Sequence, residues 1–424
     1  MPSPTFTADF VACVQEFCQK HFAAIARMTR SEAPRRGFTR LAFTEKETAT
    51  LQYLEKIGRR LNLEIFYDEA QNLHMVLPGK DRNAPAIYCG SHADSVLDGG
   101  HFDGLAGIMA ALSVIVYCRA TNTTPAVDFH MMALRAEEQG LFGSKALLGQ
   151  LEKVDLERHW PPYPTTLGEY YDRLGIDKER LTSHKPLVDF AKIAVFIELH
   201  IEQGLRLIET NEHPTGLVTG IRGLIRHLHI RCVGEDAHSG AIDRPYRHDA
   251  AAATVALLYR MEEEWKRRLE RGEDLVYTHG VMNTLPTAIF NKIPGELSFS
   301  LDIRTLHTET RESFYQMFLD EAKRVEEEYR VQFIFDEPLR LEPQVCSENW
   351  IQAFERSAQR IKEQTLRLPS GAGHDAQGFG LEGIPFAMFF VANQNGSHNP
   401  DEAMQEDDFL RACAILTHTV LHYE

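Results

Sequence analysis

Four short apolar runs constrain the fold most: "APAIYCG" (84–90), "AVDFHMMAL" (126–134), "IAVFIEL" (193–199) and "IPFAMFFVA" (384–392). They are rich in β-branched and aromatic residues and lack a clean polar alternation, the pattern of strands buried on both faces. Helical periodicity lies between them. In "DGLAGIMAALSVIVYCRA", Leu105, Ile108, Met109, Leu112, Ile115 and Val116 recur at helical spacing. Strand and helix in alternation predict an α/β domain on a central, mostly parallel sheet flanked by helices.

The middle of the chain has a different texture. "LIRHLHIRCVG" (224–234) and "ELSFSLDIRT" (296–305) alternate like half-exposed strands, and residues 249–270 and 311–330 read as amphipathic helices. Two such helices on one sheet predict a compact α+β unit over residues 216–336. The flanking parts, 1–215 and 337–424, then form one discontinuous domain into which that unit is inserted. A chain of 424 residues is long enough for both. The charged stretch 151–187 reads as a surface excursion whose prolines and tyrosines could line a cleft.

Each apolar run is followed by groups that bind metals or move protons. His92, Asp94 and Asp103 follow the first, Glu137 and Glu138 the second, His200 the third and His398 the fourth. In an open α/β sheet, ligands bind beyond the carboxyl ends of the strands. Each group has an ordinary alternative: a solvated loop, a helix-start carboxylate, or, for Asp103, a cap on the helix that follows. Their recurrence on four strand ends favours a shared site. Three imidazoles and two carboxylates suit zinc or a similar divalent ion. Five ligands exceed the need of one tetrahedral catalytic site and fit two ions bridged by an aspartate. A further carboxylate must stay off the metal to take a water proton, and a Glu-Glu pair can fill both roles.

Charge narrows the partners. The net charge of −16, from 61 acidic and 45 basic residues, argues against nucleic acid and suits a small ligand. No apolar run approaches the length of a membrane span. The odd count of seven scattered cysteines, with no CxxC pair, predicts reduced thiols and a cytoplasmic setting. The N-terminal residues lack the layout of a signal peptide.

The motifs "GSHADS…FDG", "RAEEQGLFG", "ELHIEQG", "GAGHDA" and "SHNPDE" resemble the M20 family of dinuclear metallohydrolases. More narrowly, they resemble its amidase branch of N-carbamoyl-L-amino-acid hydrolases, β-ureidopropionases and allantoate amidohydrolases. The resemblance implies two divalent ions per subunit, zinc foremost, with manganese, cobalt or nickel also suited to the donors. It implies His92, Asp103, Glu138, His200 and His398 as ligands, with Asp103 bridging, Glu138 and His200 on one ion and His398 on the other. Glu137 is implied as general base and Asp94 as the group orienting His92. The inserted unit is implied to be a lid and homodimerisation domain. There His238 would stabilise the oxyanion, and Asn291 and Arg304 would hold a substrate carboxylate, with Gln203 as a further substrate contact. Asp98 and His101 are left as loop, His101 at the surface or rim.

The expected reaction is hydrolysis of a linear ureido or amide C–N bond in a small carboxylate-bearing substrate. Two rivals remain: an M20 aminoacylase or peptidase acting on acyl-amino acids or dipeptides, and a non-catalytic metal- or amino-acid-binding protein on the same scaffold. "HIEQG" and "GAGHDA" weigh against the first and Glu137 against the second. Departures from the family pattern fall at Leu141 and at Ile242, Asp243 and Arg244, which bear on substrate choice.

Overall fold

A computed structural model describes residues 6–159, 165–210 and 212–423. The chain divides into two compact units, one of residues 1–219, 346–368 and 372–424, the other of residues 220–345 and 369–371. No described helix is long and apolar enough to cross a membrane.

The first unit is built on a mixed sheet. In spatial order seven of its nine strands are Glu64–Tyr67, Leu73–Leu77, Phe129–Leu134, Ala86–His92, Ile193–Ile201, Phe386–Val391 and Thr215–Ile221. The expectation of a mostly parallel sheet holds only at its centre. The four middle strands, from Phe129–Leu134 to Phe386–Val391, run parallel, while their outer neighbours pair antiparallel. The first two strands form a hairpin through residues 68–72, and so short a connection reverses chain direction. The four parallel strands are the four apolar runs of the sequence. Register aligns their ends: His92 lies opposite Leu134, and His200 opposite Phe390.

Helix Leu105–Thr121 lies across this sheet and is buried on every side over residues 105–118. Its apolar periodicity therefore marks a central helix rather than a one-sided one. Ala106, Ala110 and Ala111 are buried but too small to show in the pattern, and helices Phe6–Thr29 and Glu406–Leu421 both pack against this one. Within the stretch 151–187, Pro161, Pro162, Tyr163 and Pro164 lie outside the described residues. Tyr170 and Tyr171 do not line a cleft. They are buried with Phe43, Phe142 and Leu167 in a satellite core.

The second unit carries a six-stranded antiparallel sheet centred on Gly223–Val233 and Glu296–Thr305. Helices Ala250–Glu270 and Thr308–Tyr329 pack on it and on each other. Leu257, Met261, Phe299, Phe314 and Phe318 form much of its core, each burial contributing about 1.5–3 kcal/mol. Asp249 caps the first helix by accepting from the Ala251 and Ala252 amides at 3.1 and 3.0 Å.

Candidate active site

The four parallel strand ends bring their ionisable groups together. His92 closes its strand, and the chain returns as Asp103 just before helix Leu105–Thr121. Gly104 makes that return possible. It sits at φ +65°, and a Cβ there would lie 2.5 Å from the His92 ring. Asp103 is not a cap, since the helix start has no side-chain cap. After Phe129–Leu134 the chain turns through Ala136 at φ +57° to present Glu137 and Glu138. His200 stands within Ile193–Ile201, and His398 follows Phe386–Val391 on a turn with Asn395, Gly396 and His398 all at positive φ.

Asp103 faces two donor groups with two different oxygens. Its Oδ1 lies 2.9 Å from His200 Nε2 and 3.5 Å from His92 Nε2. Its Oδ2 lies 3.4 Å from His398 Nε2, which in turn is 3.2 Å from Glu138 Oε2. Two clusters result, His92–Asp103–His200 and Asp103–Glu138–His398, each with donor atoms within 4.8 Å of one another. Glu138 therefore groups with His398 and His200 with His92, rather than Glu138 with His200. Which strands are neighbours decides this, and chain order does not reveal it. Glu137 belongs to neither cluster, and its Oε2 lies 3.9 Å from His92 Nε2.

The donors fit divalent cations. They are imidazole nitrogens and carboxylate oxygens, and Glu138 Oε1 is buried with no hydrogen-bond partner. Burial disfavours the charged form of His92, but Glu137, Asp103 and Asp94 outweigh it and hold its pKa well above 6.5. Burial likewise opposes ionisation of Asp103, and His200, His398 and His92 reverse that and hold it well below 3.8. Glu137 is pushed well above 4.5, first by burial and then, against the pull of His92, by Glu138, Asp375 and Asp94. A cation would compete with protons for the same lone pairs.

Asp94 joins two strand ends. Its Oδ1 lies 3.5 Å from His92 Nδ1 and accepts from the Glu137 amide at 3.1 Å, while Oδ2 accepts from the Glu138 amide at 3.2 Å. Gln203 donates to Asp103 Oδ2 at 3.3 Å, so here it supports an acid of the cluster. His101 is not at the surface. It is buried among Phe22, Phe38 and Phe102 and bonds the Phe22 carbonyl at 2.9 Å. Asp98 accepts from the Gly37 amide and does belong to a loop.

Several buried groups around the site escaped the sequence reading. Glu402 accepts from the Phe102 amide, and Ser397 donates to Asp103 Oδ2 at 2.6 Å. Arg40 is fully buried beneath these acids. Glu198 accepts from Ser91 and from the Ala376 amide, and the His374 ring lies 4.5 Å from that of His200. Only their place in quoted motifs, "SHNPDE" and "GAGHDA", marked Glu402 and His374.

In the second unit, His238 is exposed on a two-residue strand paired with Lys292–Ile293. Its Nδ1 accepts from the Gly240 amide at 3.1 Å, which leaves Nε2 as the ring nitrogen able to donate. Arg247 ties the following turn to the Ser239 and Ile242 carbonyls. Asn291 is exposed beside this pair of strands. Arg304 already grips Asp302, at 2.8 Å through Nε and 3.1 Å through Nη2, an arginine–acid pairing within its own strand.

The chain is 33% identical to an N-carbamoyl-L-amino acid amidohydrolase from Geobacillus stearothermophilus, over 91% of this chain and 93% of that one. It is 29% identical to an allantoate amidohydrolase from Escherichia coli strain K12, over 90% and 92%. A hydantoinase/carbamoylase family amidase from Burkholderia ambifaria superposes with a TM-score of 0.84 at 25% identity, covering 99% of this chain and 98% of that one. Residues 76–422 match the description of peptidase family M20/M25/M40, and the chain belongs to that metal-dependent family.

Proposed function

We propose that the protein is an amidohydrolase that cleaves the C–N bond of a linear ureido substrate bearing a carboxylate, such as an N-carbamoyl-L-amino acid or allantoate. One observation carries the reading: Asp103 turns a separate oxygen to each of two donor clusters, while Glu137 stands beside them and belongs to neither. The relatives named above act, by name, on this substrate class.

His92, Asp103 and His200 would hold one divalent cation, and Asp103, Glu138 and His398 a second, zinc being the first choice for such donors. Bound there, the cations would supply Lewis acidity and lower the pKa of a nearby water. Glu137 takes the proton of the attacking water and returns it to the leaving nitrogen, since its carboxylate stands beside the donor clusters and belongs to neither. Asp94 keeps His92 and the Glu137–Glu138 main chain in register. His238 offers Nε2–H to the developing oxyanion, Asn291 and Arg304 bind the substrate carboxylate, and Gln203 adds a polar contact. To bind, the carboxylate must share Arg304 with Asp302. A carbamoyl substrate yields amino acid, ammonia and carbon dioxide.

A homodimer through the second unit belongs to the same proposal. Leu228, Val255 and Tyr259 are 72%, 59% and 63% exposed there, the last two one helical turn apart. The free state of all seven cysteines supports a reducing, cytoplasmic setting.

The test uses apo-protein reloaded with zinc, manganese, cobalt or nickel and offered ureido acids, N-acetyl amino acids and dipeptides. Ammonia release from a ureido acid is the expected result. Cleavage confined to acetyl or dipeptide substrates would make the protein an aminoacylase or peptidase. Metal uptake with no cleavage of any of them would make it a binding protein.

A further inference from the structure

We propose that Glu402 and Arg40 are positioning residues: a buried clamp that holds the main chain of Asp103 so that its two oxygens face different cation sites. The inference rests on the two-cation reading above. Glu402 is 8% exposed and Arg40 fully buried. Glu402 Oε1 accepts from the Phe102 amide at 2.8 Å and from the Asp103 amide at 3.3 Å. From the other side, Arg40 Nη2 approaches the Asp103 carbonyl at 3.4 Å, while Arg40 Nε holds the Ala93 carbonyl at 3.0 Å, next to His92. The clamp also reaches the side chain. Ser397 Oγ lies 2.6 Å from Asp103 Oδ2 and 3.3 Å from Glu402 Oε2.

Burying a guanidinium and a carboxylate is costly, and Arg40 Nη1 has no hydrogen-bond partner. A cost of this kind is retained where geometry matters. Asp103 must serve two directions from one carboxylate, so a rotation of its peptide displaces both oxygens at once. Tolerances at such sites are about 0.5 Å and 10–20°. Loss of a partner that orients a metal ligand typically weakens metal affinity about 10–100-fold. Gly100 fits the same account, because a Cβ there would stand 1.9–2.2 Å from the Glu402 carboxyl atoms.

The test compares full-length wild type, Glu402→Ala, Glu402→Gln and Gly100→Ala. Bound zinc is counted by elemental analysis, zinc affinity is measured by competition with a chromogenic chelator, and folding is followed by circular dichroism of the apo-protein. Glutamine keeps an acceptor for both amides and a donor for Ser397, so Glu402→Gln stays within about 3-fold of wild type. Glu402→Ala and Gly100→Ala each weaken at least one zinc by about 10–100-fold while the apo-protein remains folded. If Glu402→Ala does not fold, Gly100→Ala decides, since it displaces the carboxylate without removing either charge. Wild-type zinc affinity in folded Glu402→Ala or Gly100→Ala overturns the inference, as does an unfolded or zinc-weakened Glu402→Gln. A wild type that binds no divalent ion instead overturns the two-cation reading beneath it.

Discussion

Replacing Gly104 with alanine tests the packing that joins Asp103 to His92. Two penalties follow from the structure. At φ +65° an L-residue carries a left-handed cost of about 1–2 kcal/mol. The new methyl also lies 2.5 Å from His92 Cε1, Nδ1 and the His92 carbonyl oxygen. A contact that short forces the ring or the helix start to move, an overpacking cost of about 1–3 kcal/mol. The sum, about 2–5 kcal/mol, is a large part of ordinary domain stability. Urea unfolding of the apo-protein, followed by far-ultraviolet circular dichroism, should show a lower midpoint for the transition of the first unit. The displaced ring should also cost zinc affinity, measured separately by chelator competition. A Gly104→Ala protein within about 0.5 kcal/mol of the parent and with unchanged zinc affinity would refute the reasoning, because neither the left-handed turn nor the ring contact could then be as described.

Three further outcomes are expected. Glu137→Ala should keep its metal content by elemental analysis while turnover falls by about 10²–10⁴-fold, and near-normal ammonia release would remove Glu137 from the proton transfer. Glu47→Gln should lower stability by about 3–5 kcal/mol in urea unfolding, because Arg135, 4% exposed and bonded to Glu47 through Nε and Nη2, is left with an uncompensated charge; a loss under 1 kcal/mol would show that the pair carries little. Burial, helped by Lys20 and Arg60, pushes His21 down from 6.5 to about 4, so the folded state favours the neutral ring that bonds Tyr53. That advantage is complete above pH 6.5 and is lost as pH falls toward 4. His21→Gln should therefore melt with a flatter pH dependence over that window, and an unchanged slope would count against it.

The four central strands were legible because each is a predominantly apolar run, and because parallel neighbours share a carboxyl edge. The mixed character of the sheet was not legible. Glu64–Tyr67 and Leu73–Leu77 are short, and strands that brief do not stand out from the chain around them. Composition could not sort the ligands into clusters, since His200 meets His92 through strand adjacency and Glu138 meets His398 through a turn. His101 was expected at the surface or rim from the resemblance alone, yet Phe22, Phe38 and Phe102, two of them distant in sequence, enclose it. Glu402 and Arg40 were hidden because they act on main-chain groups, and backbone amides and carbonyls carry no residue-specific signature.

The strand Phe386–Val391 lies between Ile193–Ile201 and Thr215–Ile221, both of which leave the ribosome far earlier. While the chain is being made, those two strands flank an open lane, each with a row of unanswered amides and carbonyls. Such edges invite pairing with other nascent chains. The strand that seals the sheet is thus made long after its two neighbours, and a product truncated before residue 386 would be left prone to aggregation as well as lacking His398.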